Sequence, residues 1–134
     1  MIYAYSQNVT VNQNERIPFN ITALKKGCTC QLASPTSILL PRKGIYVITV
    51  CANASVPSAT TDSAQKLSLQ ISGIAPATAS ETVSDTNAHN LCAATTIDVQ
   101  IDARCCNAPT EVYVTNIGAT ANYADISIII TKIA

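Results

Sequence analysis

At 134 residues the chain is the size of one ordinary domain, long enough to bury roughly two thirds of the surface its unfolded form exposes, so a single domain over 1–134 is expected. Apolar residues make up 48% of it and charged ones 12%, and the excess lies in Val, Ile, Ala and Thr rather than in Leu, Glu and Lys, a mixture that favours strands. Eight basic side chains balance eight acidic ones, so no net field draws the protein toward nucleic acid or an anionic membrane, and neither is expected as a partner.

From the N-terminus, Met1-Ile2-Tyr3-Ala4-Tyr5-Ser6-Gln7 carries neither a basic leader nor a continuous apolar run, and no signal peptide is expected. Strands are predicted over Ile2–Tyr5, Val9–Val11, Arg16–Phe19, Ser37–Leu40, Ile45–Ala52, Lys66–Ser72, Thr95–Asp102, Glu111–Asn116 and Ala124–Ile133. Turn-forming clusters separate them at Asn12-Gln13-Asn14, Pro41-Arg42-Lys43-Gly44, Asn107-Ala108-Pro109 and Gly118-Ala119-Thr120. Roughly eight to ten short strands with such punctuation describe an all-β sandwich or barrel. The longest strongly apolar segment, Ile126 to Ile130, is too short to cross a bilayer as a helix.

Two kinds of strand are distinguishable. Leu67, Leu69 and Ile71 alternate with Ser68, Gln70 and Ser72, and Ile97, Val99 and Ile101 alternate with Asp98, Gln100 and Asp102, so these strands have one wet face. By contrast Ile45-Tyr46-Val47-Ile48-Thr49-Val50-Cys51 and Ile126-Ser127-Ile128-Ile129-Ile130 are apolar on both faces. In a two-layer domain one face of a sheet points into the core, so the second apolar face needs another cover. A closed ring of identical subunits supplies it without a sticky surface that grows into fibres; loops wrapped over a monomer are the alternative. The polar stretches Asn53–Ala64 and Ala77–Asn90 read as long connections, either binding loops or solvated spacers.

Six cysteines, Cys28, Cys30, Cys51, Cys92 and the adjacent Cys105 and Cys106, invite a test for zinc, but none of the paired spacings of structural zinc sites occurs. A site shared by Cys28/Cys30 and Cys105/Cys106 stays open as an alternative, as does a disulfide between those two groups. Adjacent cysteines rarely bond to each other. Cys51, mid-strand among apolar residues, reads as a small core residue, and reduced thiols are the default expectation.

Catalysis has little to work with. The single histidine, His89, lies near Asp85 in a polar stretch and reads as an exposed loop residue, with no nucleophile elbow or glycine-rich oxyanion loop nearby. Asp98 and Asp102 are too far apart along a strand for an acid/base dyad. Asp62, Asp85 and Asp125 could contribute to a calcium site only without any EF-hand-like spacing. The glycines Gly27, Gly44, Gly73 and Gly118 stand alone, so no phosphate loop exists. Three glycosylation-type triplets begin at Asn8, Asn20 and Asn53 and read as chance matches in an Asn/Thr-rich chain. No enzyme activity, cofactor or metal is expected.

Leu40-Pro41-Arg42-Lys43-Gly44-Ile45-Tyr46-Val47-Ile48, Leu67-Ser68-Leu69-Gln70-Ile71-Ser72-Gly73 and the segment from Val112 through Ile133 together resemble the globular C-terminal domains of bacterial collagen-like surface glycoproteins. Those domains are relatives of the tumour necrosis factor and complement-head jelly rolls. The resemblance implies a two-sheet antiparallel jelly-roll sandwich of about ten strands, assembled as a tight homotrimer with the first, third-from-last and last strands lining the axis. It places Tyr46 or Tyr113 near the three-fold axis, and Tyr3, Tyr5, Ile45, Tyr46, Tyr113 and Ile129 at the trimer interface.

No Gly-X-Y stalk is expected before the domain, a departure from that family. A stalkless jelly-roll trimer looks like the decoration proteins and head fibres of tailed bacteriophages, which assemble in the bacterial cytoplasm and coat a capsid. The implied partners are copies of itself and the major capsid protein or another virion surface protein. The alternative is a receptor- or glycan-binding domain of a phage fibre or of a bacterial or spore surface.

Overall fold

A computed structural model describes residues 1–27, 30–72, 76–103 and 108–134. Among these, every regular element is a β-strand: β1 (Ile2–Val11), β2 (Glu15–Arg16), β3 (Ile21–Lys25), β4 (Gln31–Ser34), β5 (Ser37–Leu40), β6 (Gly44–Ser55), β7 (Gln65–Ser72), β8 (Ala77–Val83), β9 (His89–Val99), β10 (Thr110–Asn116) and β11 (Ala121–Lys132). They form two antiparallel sheets, one in the order β3-β1-β11-β6-β9, the other in the order β4-β5-β10-β7-β8 with β2 added beside β10.

Side-chain alternation explains why the sheets face each other. Ile2, Ala4, Tyr46, Ile48, Val50, Ile97, Ile126, Ile128 and Ile130 point inward from the first sheet. Ile38, Leu40, Leu67, Leu69, Ile71, Val112 and Val114 meet them from the second. Chain order crosses repeatedly between the sheets, so neighbouring strands such as β1 and β11 come from opposite ends of the sequence. The first, third-from-last and last strands (β1, β9 and β11) share the first sheet.

A few polar side chains are also fully buried, and each is partnered, although Ser68 lies on the outward face of β7, opposite in parity to Leu67, Leu69 and Ile71. Ser68 is fully buried and shares a 2.6 Å hydrogen bond with Ser80 across the β7–β8 pair. The buried Asn116 amide donates to the carbonyls of Val11 (2.9 Å), Ala119 (3.0 Å) and Asn12 (3.3 Å), while its Oδ1 accepts from the buried Tyr123 hydroxyl at 3.2 Å. That network fastens the end of β1 to the β10–β11 turn. In the same turn Gly118 lies so close to β7 that a Cβ would sit 2.3 Å from the Lys66 carbonyl oxygen and 2.7 Å from the Ser68 nitrogen.

Several predicted boundaries shift. Ile2–Tyr5 and Val9–Val11 are one strand, continuous through Asn8 in the left-handed region at φ 54°. Of Arg16–Phe19 only Arg16 is in a strand; Ile17 and Phe19 are buried and donate backbone N–H groups to Val114 (2.7 Å) and Pro35 (2.6 Å). The supposed connection Ala77–Asn90 contains β8 and the start of β9, and Asn53–Ala64 begins inside β6. β9 ends at Val99 rather than at Asp102, which leaves Ile101 64% exposed and Asp102 accepting from the Lys43 backbone at 2.6 Å. Gly73, Cys28, Cys105, Cys106 and Asn107, on which the expected turn at Asn107 and the zinc or disulfide alternatives depend, lie outside the described residues.

Candidate functional site

The outward face of the β3-β1-β11-β6-β9 sheet carries the features that the fold itself does not use. Register sets its side chains in rows. One row runs Leu24, Tyr3, Ile129, Thr49, Ala94; the next runs Ile21, Tyr5, Ser127, Cys51, Cys92; a third runs Gln7, Asp125, Asn53, Asn90.

The rows divide the face in two. On the β3-β1-β11 half, Ile21 is 44% exposed, Leu24 38% and Ile129 38%, beside the half-buried Tyr3 and Tyr5 rings, whose centroids are 6.0 Å apart. These apolar side chains stand side by side at the surface. On the β6-β9 half Ile45 and Val47 are the apolar outward side chains, and beyond them the outward side chains, Thr49, Cys51, Asn53, Ala94, Cys92 and Asn90, are small or polar. Cys51, Asn53, Asn90, Cys92, Asp125 and Ser127 line an open cleft of about 370 Å³, and Asn53 Oδ1 is buried there without a hydrogen-bond partner among the described residues.

Of the six residues expected at a trimer interface, the structure brings Tyr3, Tyr5, Ile45 and Ile129 onto this face, with Ile45 near its far corner opposite Asp98. The other two lie elsewhere. Tyr46 is fully buried in the subunit's own core, its hydroxyl donating to the Arg42 carbonyl at 2.8 Å, and burial raises its phenol above the ordinary tyrosine range. Tyr113 is on the other sheet, where the Arg16 guanidinium stacks 3.6 Å from its ring centre and also pairs with Glu111. Ile21 and Leu24 were missed because β3 is exposed along its whole length and shows no alternation.

His89 is not a loop residue. It opens β9 half-buried, and its ring joins Glu81 of β8 (Nδ1 to Oε1, 3.1 Å) and Asp85 (Nε2 to Oδ1, 3.0 Å), bridging the edges of the two sheets. The hydrogen bond to Asp85, with Glu81 beside it, raises the imidazole above its ordinary value, and the same contact lowers Asp85. Among the described residues no group of three or more His, Cys, Asp or Glu side chains converges as metal ligands, so Asp62, Asp85 and Asp125 do not form a calcium cage. Asp98 accepts from Gln100 next to it.

Cys51 also departs from expectation: it faces outward, half-buried, rather than into the core. Its Sγ lies 2.6 Å from that of Cys92, its direct cross-strand partner. The hydrogen bond with Cys92, with burial second, pushes the Cys51 thiol up to about 11.

No protein-family model and no curated protein matches the sequence. Solved structures do match along nearly the whole chain. The chain is similar to PRD1 vertex protein P5 at 18% identity and a TM-score of 0.63, covering 99% of this chain and 96% of that one. It is similar to the Eiger tumour necrosis factor of S. frugiperda at 11% identity and a TM-score of 0.65, covering 99% and 92%. The globular domain of the zebrafish complement 1qA protein matches at 11% identity and a TM-score of 0.55, covering 96% and 94%. The fold is therefore an all-β, two-sheet antiparallel jelly roll of the tumour necrosis factor and complement C1q type.

Proposed function

We propose that the chain is a non-enzymatic structural jelly roll that assembles as a homotrimer on the surface of a bacteriophage capsid. The observation that carries this reading is the greasy half of the β3-β1-β11-β6-β9 sheet, where Ile21, Leu24 and Ile129 stand exposed around Tyr3 and Tyr5. Hiding that surface between identical subunits related by a closed rotation satisfies all copies at once. Similarity in fold to a vertex protein, PRD1 P5, supports a place on a particle surface, with the major capsid protein or another virion surface protein as the partner. The shifted ionisable groups have structural partners: His89 is held by Glu81 and Asp85, Tyr46 and Tyr123 are enclosed in the core, and Cys51 is hydrogen-bonded to Cys92.

Mass spectrometry of virions purified from the organism that encodes the chain tests the proposal. The chain is expected as a stoichiometric component, and its absence from intact particles overturns the role.

The cleft favours a second reading, a receptor- or glycan-binding surface domain of a phage fibre or of a bacterial or spore surface. Asn53, Asn90, Asp125 and Ser127 offer the amide, carboxylate and hydroxyl groups that recognise sugar hydroxyls. Binding of the intact protein to a glycan array, lost in Asn90→Ala, supports it; a blank array removes it.

A further inference from the structure

We propose that Cys51 and Cys92 form a reversible cross-strand disulfide, made by thiol–disulfide exchange with a small disulfide of the glutathione class, which ties the edge strand β9 to β6. Three observations on one chain carry this. Cys51 and Cys92 are directly opposed in the antiparallel β6–β9 ladder. Opposed residues in such a ladder have Cα atoms about 4.5–5.5 Å apart, inside the roughly 4.4–6.8 Å window of a disulfide, so the bond needs no backbone movement. Their sulfurs already approach to 2.6 Å. Both side chains point out of the sheet into the open cleft, and Cys92 is exposed, so a small reagent reaches it.

The exchange has a definite order. The exposed Cys92, as thiolate, attacks one sulfur of the small disulfide; that S–S bond breaks, one small thiol leaves, and a mixed disulfide forms on Cys92. The Cys51 thiol then gives its proton to solvent and attacks Cys92 Sγ, breaking the mixed disulfide and releasing the second small thiol. Two protein thiols are oxidised and one small disulfide is reduced to two thiols, so atoms and electrons balance. The hydrogen bond with Cys92 is the largest cause holding the Cys51 thiol up. Cys51 is half-buried and Cys92 exposed, so the small disulfide meets Cys92 first and Cys51 is left to resolve the mixed disulfide.

The site spans neighbouring strands of one subunit and does not depend on the homotrimer. It belongs to the β6-β9 half of the face, away from Ile21 and Leu24 on β3. The expectation of reduced thiols holds only while the surrounding small-thiol pool is reducing.

The test incubates the intact wild-type protein in glutathione buffers of increasing oxidised fraction, blocks remaining thiols with N-ethylmaleimide, and maps peptides by mass spectrometry. The expected product is a peptide pair joined through Cys51 and Cys92, lost again on adding reduced glutathione. In Cys51→Ser the expected product is glutathione held on Cys92 as a mixed disulfide, because the resolving thiol is gone. The proposal is overturned if both cysteines of the wild type stay alkylatable, if either keeps glutathione without the cross-link forming, or if either is joined instead to another cysteine.

Discussion

Replacing Asn116 by leucine tests whether the buried polar hub holds the β10–β11 turn. Leucine has the same number and branching of side-chain heavy atoms, so the change removes hydrogen bonds without leaving a cavity. The amide carries two N–H donors shared among the carbonyls of Val11, Asn12 and Ala119, and its oxygen is the partner of the buried Tyr123 hydroxyl. Losing two amide hydrogen bonds costs roughly 1 kcal/mol each, and stranding a buried hydroxyl adds about 1–3 kcal/mol, so Asn116→Leu is expected to destabilise by about 3–5 kcal/mol. Tyr123→Phe leaves only the Asn116 oxygen unpaired and is expected to cost about 1–2 kcal/mol. In the double variant neither the hydroxyl nor the amide oxygen is left stranded, so the two effects should fall short of additive by about 2–5 kcal/mol. Guanidinium denaturation of the four proteins at one protein concentration measures all three quantities. A loss below about 0.5 kcal/mol for Asn116→Leu, or strict additivity, refutes the network.

Three further outcomes follow from the same structure. Ile129→Lys puts a charge in the centre of the greasy half; hiding the 38% of Ile129 still exposed is worth about 1 kcal/mol per subunit, so association should weaken by tenfold or more in sedimentation velocity while the circular dichroism stays that of the wild type. Gly118→Ala forces a methyl against the Lys66 carbonyl and should lower the denaturation midpoint by an amount equivalent to about 1–3 kcal/mol. Because the folded state raises His89, its clasp is fully present below the unfolded imidazole value of 6.5 and is lost as pH rises through the higher folded value. Because it lowers Asp85, that side's contribution is present above 3.8 and fades as pH falls through the lower folded value. Hydrogen exchange at the β8 and β9 edge should therefore be slowest in mildly acidic solution and quicken toward alkaline pH, beyond the intrinsic change, and His89→Gln should remove the alkaline part of that dependence.

What the sequence could reveal depended on whether a strand's two faces differ. Leu67, Leu69 and Ile71 alternate with hydroxyl and amide residues, and all three are in the core as predicted. From Ile45 to Cys51 both parities are apolar, so pattern alone could not say which set points inward; the opposite sheet takes Tyr46, Ile48 and Val50, and Cys51 is left outside. Tyr113 was legible in principle, since Glu111 and Thr115 share its parity and mark a wet face, but its Arg16 cover comes from a distant segment. The edge strands β3, β4 and β8 are mostly exposed and poor in alternation, so none is predicted as a strand, and β8 falls in a stretch that reads as a connection. Pairing Cys51 with Cys92 and joining Leu24, Tyr3 and Ile129 in a row both require register, which no local pattern contains.

The most direct test of the central claim is the mass of the native protein in solution, measured by light scattering coupled to size exclusion. A greasy sheet face shared between copies predicts a single species of three times the 14.1 kDa chain, with Ile129 and Tyr5 protected. A stable 14.1 kDa monomer with those side chains open to solvent contradicts it.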